Sequence, residues 1–415
     1  MQIRLINIFI RTLVLLSRFF FLFALSKLLE PAEIGRYGLL VAAVGYSIYF
    51  VGLDFYIYTT RQVSGGDRRL WGGYIKSQAA LSGMLYLVFF PVFILLFAAD
   101  WLPWSLLGWF FVILILEHIC LELIRFFIAA SEQLTASVVL FFNQAFWAVA
   151  VVIFMVLDES YRSLSSVLFF WVGGSVIALC YSALKIKRMN LGGWRIGIDL
   201  GWIWSGIKIA IPMLLATLTL RGIFTFDRYL LSVFIDIDVV AVYILFIGVA
   251  GTLLAFLDAA VFSFSYPGLI ESYKKNNAAS FKRNVSIMLV SVAVLSVLFS
   301  VCSLFILPYL LVWIDKSIYF NSYYIFYWVL GALVINAFWM VFHYALYAQQ
   351  LDRHIIASHL AGFFVFLVSS YGLYFLYPRK SILIGLCLSQ GVVLLWKFYA
   401  YQKKTPKPFL GFGWK

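Results

Sequence analysis

Four basic residues lie inside apolar stretches long enough to cross a membrane: Arg11 and Arg18 near the start, Lys208 and Arg221 just past the midpoint. Placing such a charge at the bilayer centre costs about 2.5–3.5 kcal/mol on insertion scales, so intramembrane cations as a rule face a hydrated path. Their sign selects an anionic cargo. Arg4, Arg11 and Arg18 are spaced by sevens. Seven helical residues return a side chain to within about 20° of its start, so the three share one stripe. Helical rise puts Arg18 roughly 18–20 Å from its helix start, near mid-membrane. Arg11 is shallower, where snorkelling to the headgroups competes with a cavity-facing role. Arg221 and Arg228 repeat the seven-residue spacing; Arg228 follows Asp227 and reads as half of a surface ion pair, whereas Arg221 has no carboxylate within four residues. Lys208 precedes Pro212, which removes a helix hydrogen bond and predicts a kink.

A second constellation suits ion coupling. His118, Glu122 and Arg125 stand at steps of four and three, which puts them on one helical face; Glu117 is off that face. A carboxylate beside a histidine inside a membrane can relay a proton, although Arg125 and Glu122 also read as charges solvated near a helix end. Asp54 and Asp258 are the other acids close to mid-span, suited to countering the arginines or to binding a cation. His343, His354 and His359 do not make a metal site, because no cysteine or acid completes a ligand set. No nucleophile motif, phosphate loop or catalytic carboxylate pair is present, so neither catalytic residues nor a cofactor are expected.

These residues need a membrane scaffold to hold them. The chain has 415 residues, 64% hydrophobic and 12% charged, against about 25% charged in soluble domains. Spans need about 20 apolar residues each, and twelve are predicted: 5–29, 39–58, 77–98, 104–130, 136–157 and 163–185, then 207–224, 239–264, 284–307, 323–347, 356–377 and 381–401. The first is read as a helix and not as a cleavable signal, because Arg11 and Arg18 interrupt it. Assigning the loop lysines and arginines to alternate sides gives 20 against 7, with Lys397 counted among the loops, so both termini are expected in the cytoplasm. That asymmetry accounts for the net charge of +13 through contact with anionic lipids, and no nucleic-acid partner is implied. The four cysteines fall within spans, so no structural disulfide is expected.

The longest polar break, 187–205, carries basic residues and Trp194, Trp202 and Trp204; it reads as a cytoplasmic interfacial linker. It separates an N-terminal six-helix lobe (1–186) from a C-terminal one (206–415). Tyr37 and Tyr243, each after the first helix of its half, are 206 positions apart, as a parallel repeat requires. No outer loop exceeds about twenty residues, whereas enzymes that polymerise or ligate lipid-linked sugars tend to carry catalytic acids on a large one.

Three segments in order resemble the O-antigen flippases and polysaccharide exporters, Wzx-like proteins of the multidrug/oligosaccharidyl-lipid/polysaccharide (MOP) superfamily. They are Leu28-Leu29-Glu30-Pro31-Ala32-Glu33-Ile34-Gly35-Arg36-Tyr37, then Gly52-Leu53-Asp54-Phe55, then Asp227-Arg228-Tyr229-Leu230-Leu231. The resemblance implies an all-α fold of the type found in MATE exporters, with two six-helix lobes around a central cavity, in a bacterial inner membrane. It implies a flippase that moves polyprenyl-pyrophosphate-linked oligosaccharide from the inner to the outer leaflet by alternating access. Its expected partners are that substrate, membrane lipids, H+ or Na+ as coupling ion, and an O-antigen polymerase with its chain-length regulator. Arg11, Arg18, Lys208 and Arg221 would bind the pyrophosphate; these positions come from this sequence and not from the family. The alternatives are a multidrug cation antiporter of the same fold and a membrane polymerase or ligase. A major-facilitator transporter is suggested only by Gly65-Gly66-Asp67-Arg68-Arg69, which is similar to that group's loop signature.

Overall fold

The computed structural model describes residues 2–411, without the side chains of residues 2–4 and 216; the Arg4 side chain and Lys415 therefore lie outside the described residues. The chain is 86% helical, and twelve long helices account for most of it. They are α1 (Gln2–Leu28), α2 (Pro31–Gly52), α3 (Trp71–Ala98), α4 (Leu107–Ala129), α5 (Gln133–Leu157) and α6 (Leu164–Arg188). The others are α7 (Leu200–Phe234), α8 (Ile237–Lys274), α9 (Ala278–Ile314), α10 (Tyr324–Ala348), α11 (Asp352–Tyr374) and α12 (Ser381–Lys404). Ten of them are each apolar enough to cross a membrane, and α7 qualifies as a pair of segments bent by 44° between Leu215 and Thr217, just past Pro212. The remaining one, α4, is 23 residues long and carries Glu117, Glu122 and Arg125. The chain is a multi-pass membrane protein.

Two compact units divide the chain, Met1–Arg221 and Gly222–Lys415. Within the first, α5 packs on α1, α4 and α6, and α4 packs on α2. Within the second, α11 meets α7 through Phe363 against Phe226, α10 packs on α8, and α12 packs on α10 and α11. The pairings α1–α5, α2–α4 and α4–α6 thus recur as α7–α11, α8–α10 and α10–α12.

Several helices outrun the apolar windows that predict them. The eighth and ninth have 38 and 37 residues, because charged residues at their ends, Lys274 and Lys282 among them, extend the helix into the polar zone. The second predicted span, 39–58, is instead broken. Leu53 and Asp54 both adopt left-handed backbone conformations (φ 53° and 51°), and a short helix, Tyr56–Val63, follows. At the corresponding place in α8 the helix passes through a π turn, Asp258–Phe262. Turns of this kind cluster at functional sites.

The interfacial linker is docked, not merely laid on a lipid surface. Arg68 Nη2 donates to the Met189 carbonyl (2.8 Å) and Lys76 Nζ to the Trp194 carbonyl (3.1 Å), so two basic residues counted toward orientation also clamp backbone. Between them the Gly72 N–H donates to the Gly192 carbonyl (2.9 Å). Only glycine fits at position 72, since a Cβ there would stand 2.5 Å from that carbonyl oxygen. Gly72→Val should therefore lift the linker off α3 and lower stability by about 1–3 kcal/mol. Thermal unfolding in detergent and faster tryptic cleavage after Arg195 report the two effects.

Candidate functional site

The basic stripe of α1 faces α5. Arg11 Nε donates to Ser137 Oγ (3.1 Å) and Arg18 Nη1 to Gln144 Oε1 (3.2 Å); Ser137 in turn donates to Asn7. The seven-residue step of α1 is thus matched by a seven-residue step on α5, and both partners are neutral. Arg11, Arg18, Lys208 and Arg221 are all exposed on the first unit. Lys208 Nζ lies 5.7 Å from the centroid of the Trp204 ring, one turn earlier. Among the described residues Arg11, Arg18 and Lys208 make no ion pair. Arg221 has an acidic neighbour that sequence distance hid: it acts electrostatically on Asp54.

The acids of α4 divide between two faces. Glu117 Oε1 accepts from Trp171 Nε1 (2.6 Å), Asn143 Nδ2 (2.8 Å) and Ser175 Oγ (3.4 Å), so one carboxylate ties α4 to α5 and α6. Trp171 is fixed further by stacking on Trp147, 5.6 Å between centroids and 10° between planes. On the other face Glu122 accepts from Arg125 and from Gln78, each at 2.5 Å. The Arg125 guanidinium lies over the Tyr56 ring at 3.5 Å. These two charges are therefore paired and largely buried, not solvated at a helix end.

His118 is 2% exposed, with Nδ1 2.6 Å from the Tyr86 hydroxyl and Nε2 without a hydrogen-bond partner. Gly52 admits it, because a Cβ at that position would be 3.0 Å from Nε2. His118, Glu122, Arg125, Gln78, Tyr86 and Tyr56 line a cavity of about 220 Å³. Asp54, 3% exposed, sits at the break after α2, with Thr217 against its carboxylate and Oδ2 without a partner. Arg125, Glu122 and Arg221 all act on it electrostatically. The structure thus brings Asp54, His118 and Glu122 into one neighbourhood, with Glu117 on the opposite face of α4. At the turn before α5, outside the spans, Lys185 pairs with Glu132 (2.9 Å), and this hydrogen bond holds the Glu132 carboxyl below its usual range.

Asp258 belongs to the second unit. It is exposed and lines a cleft of about 500 Å³ with Tyr266, His343, Tyr344 and Tyr347. Two expectations from the sequence are corrected here. Asp227 is fully buried and accepts from the Tyr243 hydroxyl and from the Arg228 backbone N–H, so it is not half of a surface ion pair. Lys397 is not a loop residue: it lies inside α12 with no exposed surface. The signal was its apolar flank, Leu394-Leu395-Trp396 before it and Phe398 after it. Among the described residues no group of three or more His, Cys, Asp or Glu could hold a metal ion.

No family model matches the chain, and no curated protein matches it in sequence. Solved structures match its fold. A multidrug resistance MATE family transporter of the MOP superfamily, in an inward-facing conformation, superposes with a TM-score of 0.74 at 12% identity, over 94% of this chain and 96% of that one. The Vibrio cholerae MATE transporter VcmN, as a mutant, gives 0.61 at 14% identity over 97% and 99%. A MOP superfamily transporter from Pyrococcus furiosus gives 0.58 at 13% identity over 95% and 92%. That protein is described as having a binding pocket of reversed polarity that suggests a different function. The chain has the MATE-type fold of MOP superfamily transporters.

The Glu117 hub makes a prediction. Glu117→Leu leaves two strong donors and a hydroxyl without their acceptor, at about 1–3 kcal/mol per buried orphaned group. Glu117→Gln keeps an acceptor oxygen and should fall much less. Thermal unfolding followed by tryptophan emission, which Trp147 and Trp171 both report, compares the two.

Proposed function

We propose that this protein is a flippase that carries polyprenyl-pyrophosphate-linked oligosaccharide from the inner to the outer leaflet of a bacterial cytoplasmic membrane, with both termini in the cytoplasm. Arg11, Arg18, Lys208 and Arg221 bind the diphosphate or an acidic sugar. The observation that carries this reading is the hydrogen bonding of Arg11 and Arg18 to Ser137 and Gln144. Neutral partners orient a guanidinium without cancelling its charge. Each arginine spends one of its five N–H donors this way, and the remaining fork suits a bidentate phosphate contact. The order of the three family-like segments along the sequence supports the same reading. Asp54, Glu117, His118, Glu122 and Asp258 are the candidates for coupling transport to protons or sodium.

A second reading is a multidrug cation antiporter. It is favoured by the acids of the first unit, Asp54 above all, whose Oδ2 has no partner, and by the multidrug exporters that share the fold.

A strain lacking the gene should accumulate lipid-linked repeat units in the inner leaflet. A charge-assisted hydrogen bond contributes about 1.5–3 kcal/mol, so Arg18→Gln should weaken substrate binding by about 10- to 100-fold. Arg18→Glu combined with Arg221→Glu should fail to restore export. Full export by that double variant, with loss of resistance to cationic drugs on Asp54→Asn, would replace the first reading with the second.

A further inference from the structure

The second unit encloses a basic cluster that anion binding does not use. Lys397 is seven residues, about 10 Å, from the end of α12, and it has no exposed surface. Its Nζ lies 3.4 Å from His343 Nδ1 on α10, 3.2 Å from His359 Nε2 on α11, and 3.5 Å from the centroid of the Trp339 ring. Trp339 is held in place by its own N–H, which donates to Gln390 Oε1 at 2.8 Å.

The charged and titratable surroundings are few. From α10 comes His343, from α11 His359. Across the cleft of about 500 Å³ that His343 lines stand Asp258 and Tyr266 of α8, with Tyr344 and Tyr347 of α10. Among the described residues no carboxylate lies within ion-pair distance of Lys397. A purely structural buried cation would call for a counter-charge, because burying an unpaired charge is expensive.

The geometry instead serves two protonation states. An ammonium has three N–H bonds; here they meet two imidazole nitrogens and an indole face. A neutral amine has a lone pair, which accepts an N–H from either histidine once its tautomer changes. Both states are hydrogen-bonded without moving a helix.

We propose that Lys397, His343 and His359 form a proton-binding site, loaded from the cleft through His343. The transfer balances. An acid in the cleft gives a proton to His343 Nε2, His343 passes its Nδ1 proton to the Lys397 amine, and His343 is left neutral in the other tautomer. His359 shares the charge from the far side, where its Nδ1 has no hydrogen-bond partner. If the transport reading above holds, this proton is a coupling ion; the binding site itself does not depend on that reading.

Trp339 is a built-in reporter, since a charge appearing 3.5 Å from its ring changes its emission. The experiment uses the full-length protein in detergent without substrate, so it is blind to whether the protein is a flippase. Emission of the wild type minus Trp339→Phe is followed between about pH 5 and 9, the range in which perturbed histidines and lysines exchange protons. The expected result is a single step that moves in His359→Gln and disappears in Lys397→Met. An indicator dye in weak buffer should count about one more proton taken up by the wild type than by Lys397→Met across the step. A flat difference curve, or a step unchanged in Lys397→Met, overturns the proposal. The wild-type curve alters none of the three bases, so it decides the matter even where Lys397→Met fails to fold.

Discussion

A charge held away from bulk water must be met by a neighbouring group, and in this protein the neighbour is almost always on another helix. Glu117 is met by donors from α5 and α6, Glu122 by Gln78 of α3 as well as Arg125, and Lys397 by histidines of α10 and α11. Since lipid tails are as apolar as leucine, helices in a membrane gain little from burying apolar faces against one another, and such polar contacts contribute to which helices associate. The acids that α4 carries within its length are the ones that anchor it in its bundle.

At one matching pair of helices the two units answer the same constraint with opposite signs. Around the pairing of α4 with α6, the first unit places a carboxylate, Glu117, served by the Trp171 indole N–H. Around α10 and α12, the second places an amine among imidazoles, with the Trp339 N–H donating to a neutral amide, Gln390. The helix pairing recurs between the units, but the chemistry carried on it does not. Divergence of this kind lets one helix pairing hold an acid in one unit and bases in the other.

The helix count was legible from hydropathy, and the spacing of Arg11 and Arg18 from the helical period. The partners were not. Ser137 and Gln144 are 126 residues from their arginines, and no local pattern points across that distance. The break after α2 was hidden because the left-handed residues are Leu53 and Asp54; the glycine beside them makes room for His118 and does not mark the turn. Glu117 fell outside the face of His118 and Glu122, and a single-face reading therefore set it apart. A helix inside a bundle has more than one packed face, and Glu117 organises the second. Lys397 was obscured by Lys403 and Lys404, which make the end of α12 read as one basic loop.

Which cargo suits these surfaces turns on which charges still have bonding capacity. Glu117 already accepts three hydrogen bonds on Oε1 and Glu122 one on each oxygen, so an incoming cation would compete with these donors. Asp54 keeps a fully buried oxygen without a partner, and it is 3% exposed. Arg11 and Arg18 are the reverse: exposed and oriented by one neutral hydrogen bond each, with Glu117 acting on Arg18 only through space. A diphosphate would bring a counter-charge into direct contact, which among the described residues no acid makes with either arginine, and displacing a serine or glutamine contact costs less than breaking an ion pair. That difference in what each sign of ligand must give up favours an anion.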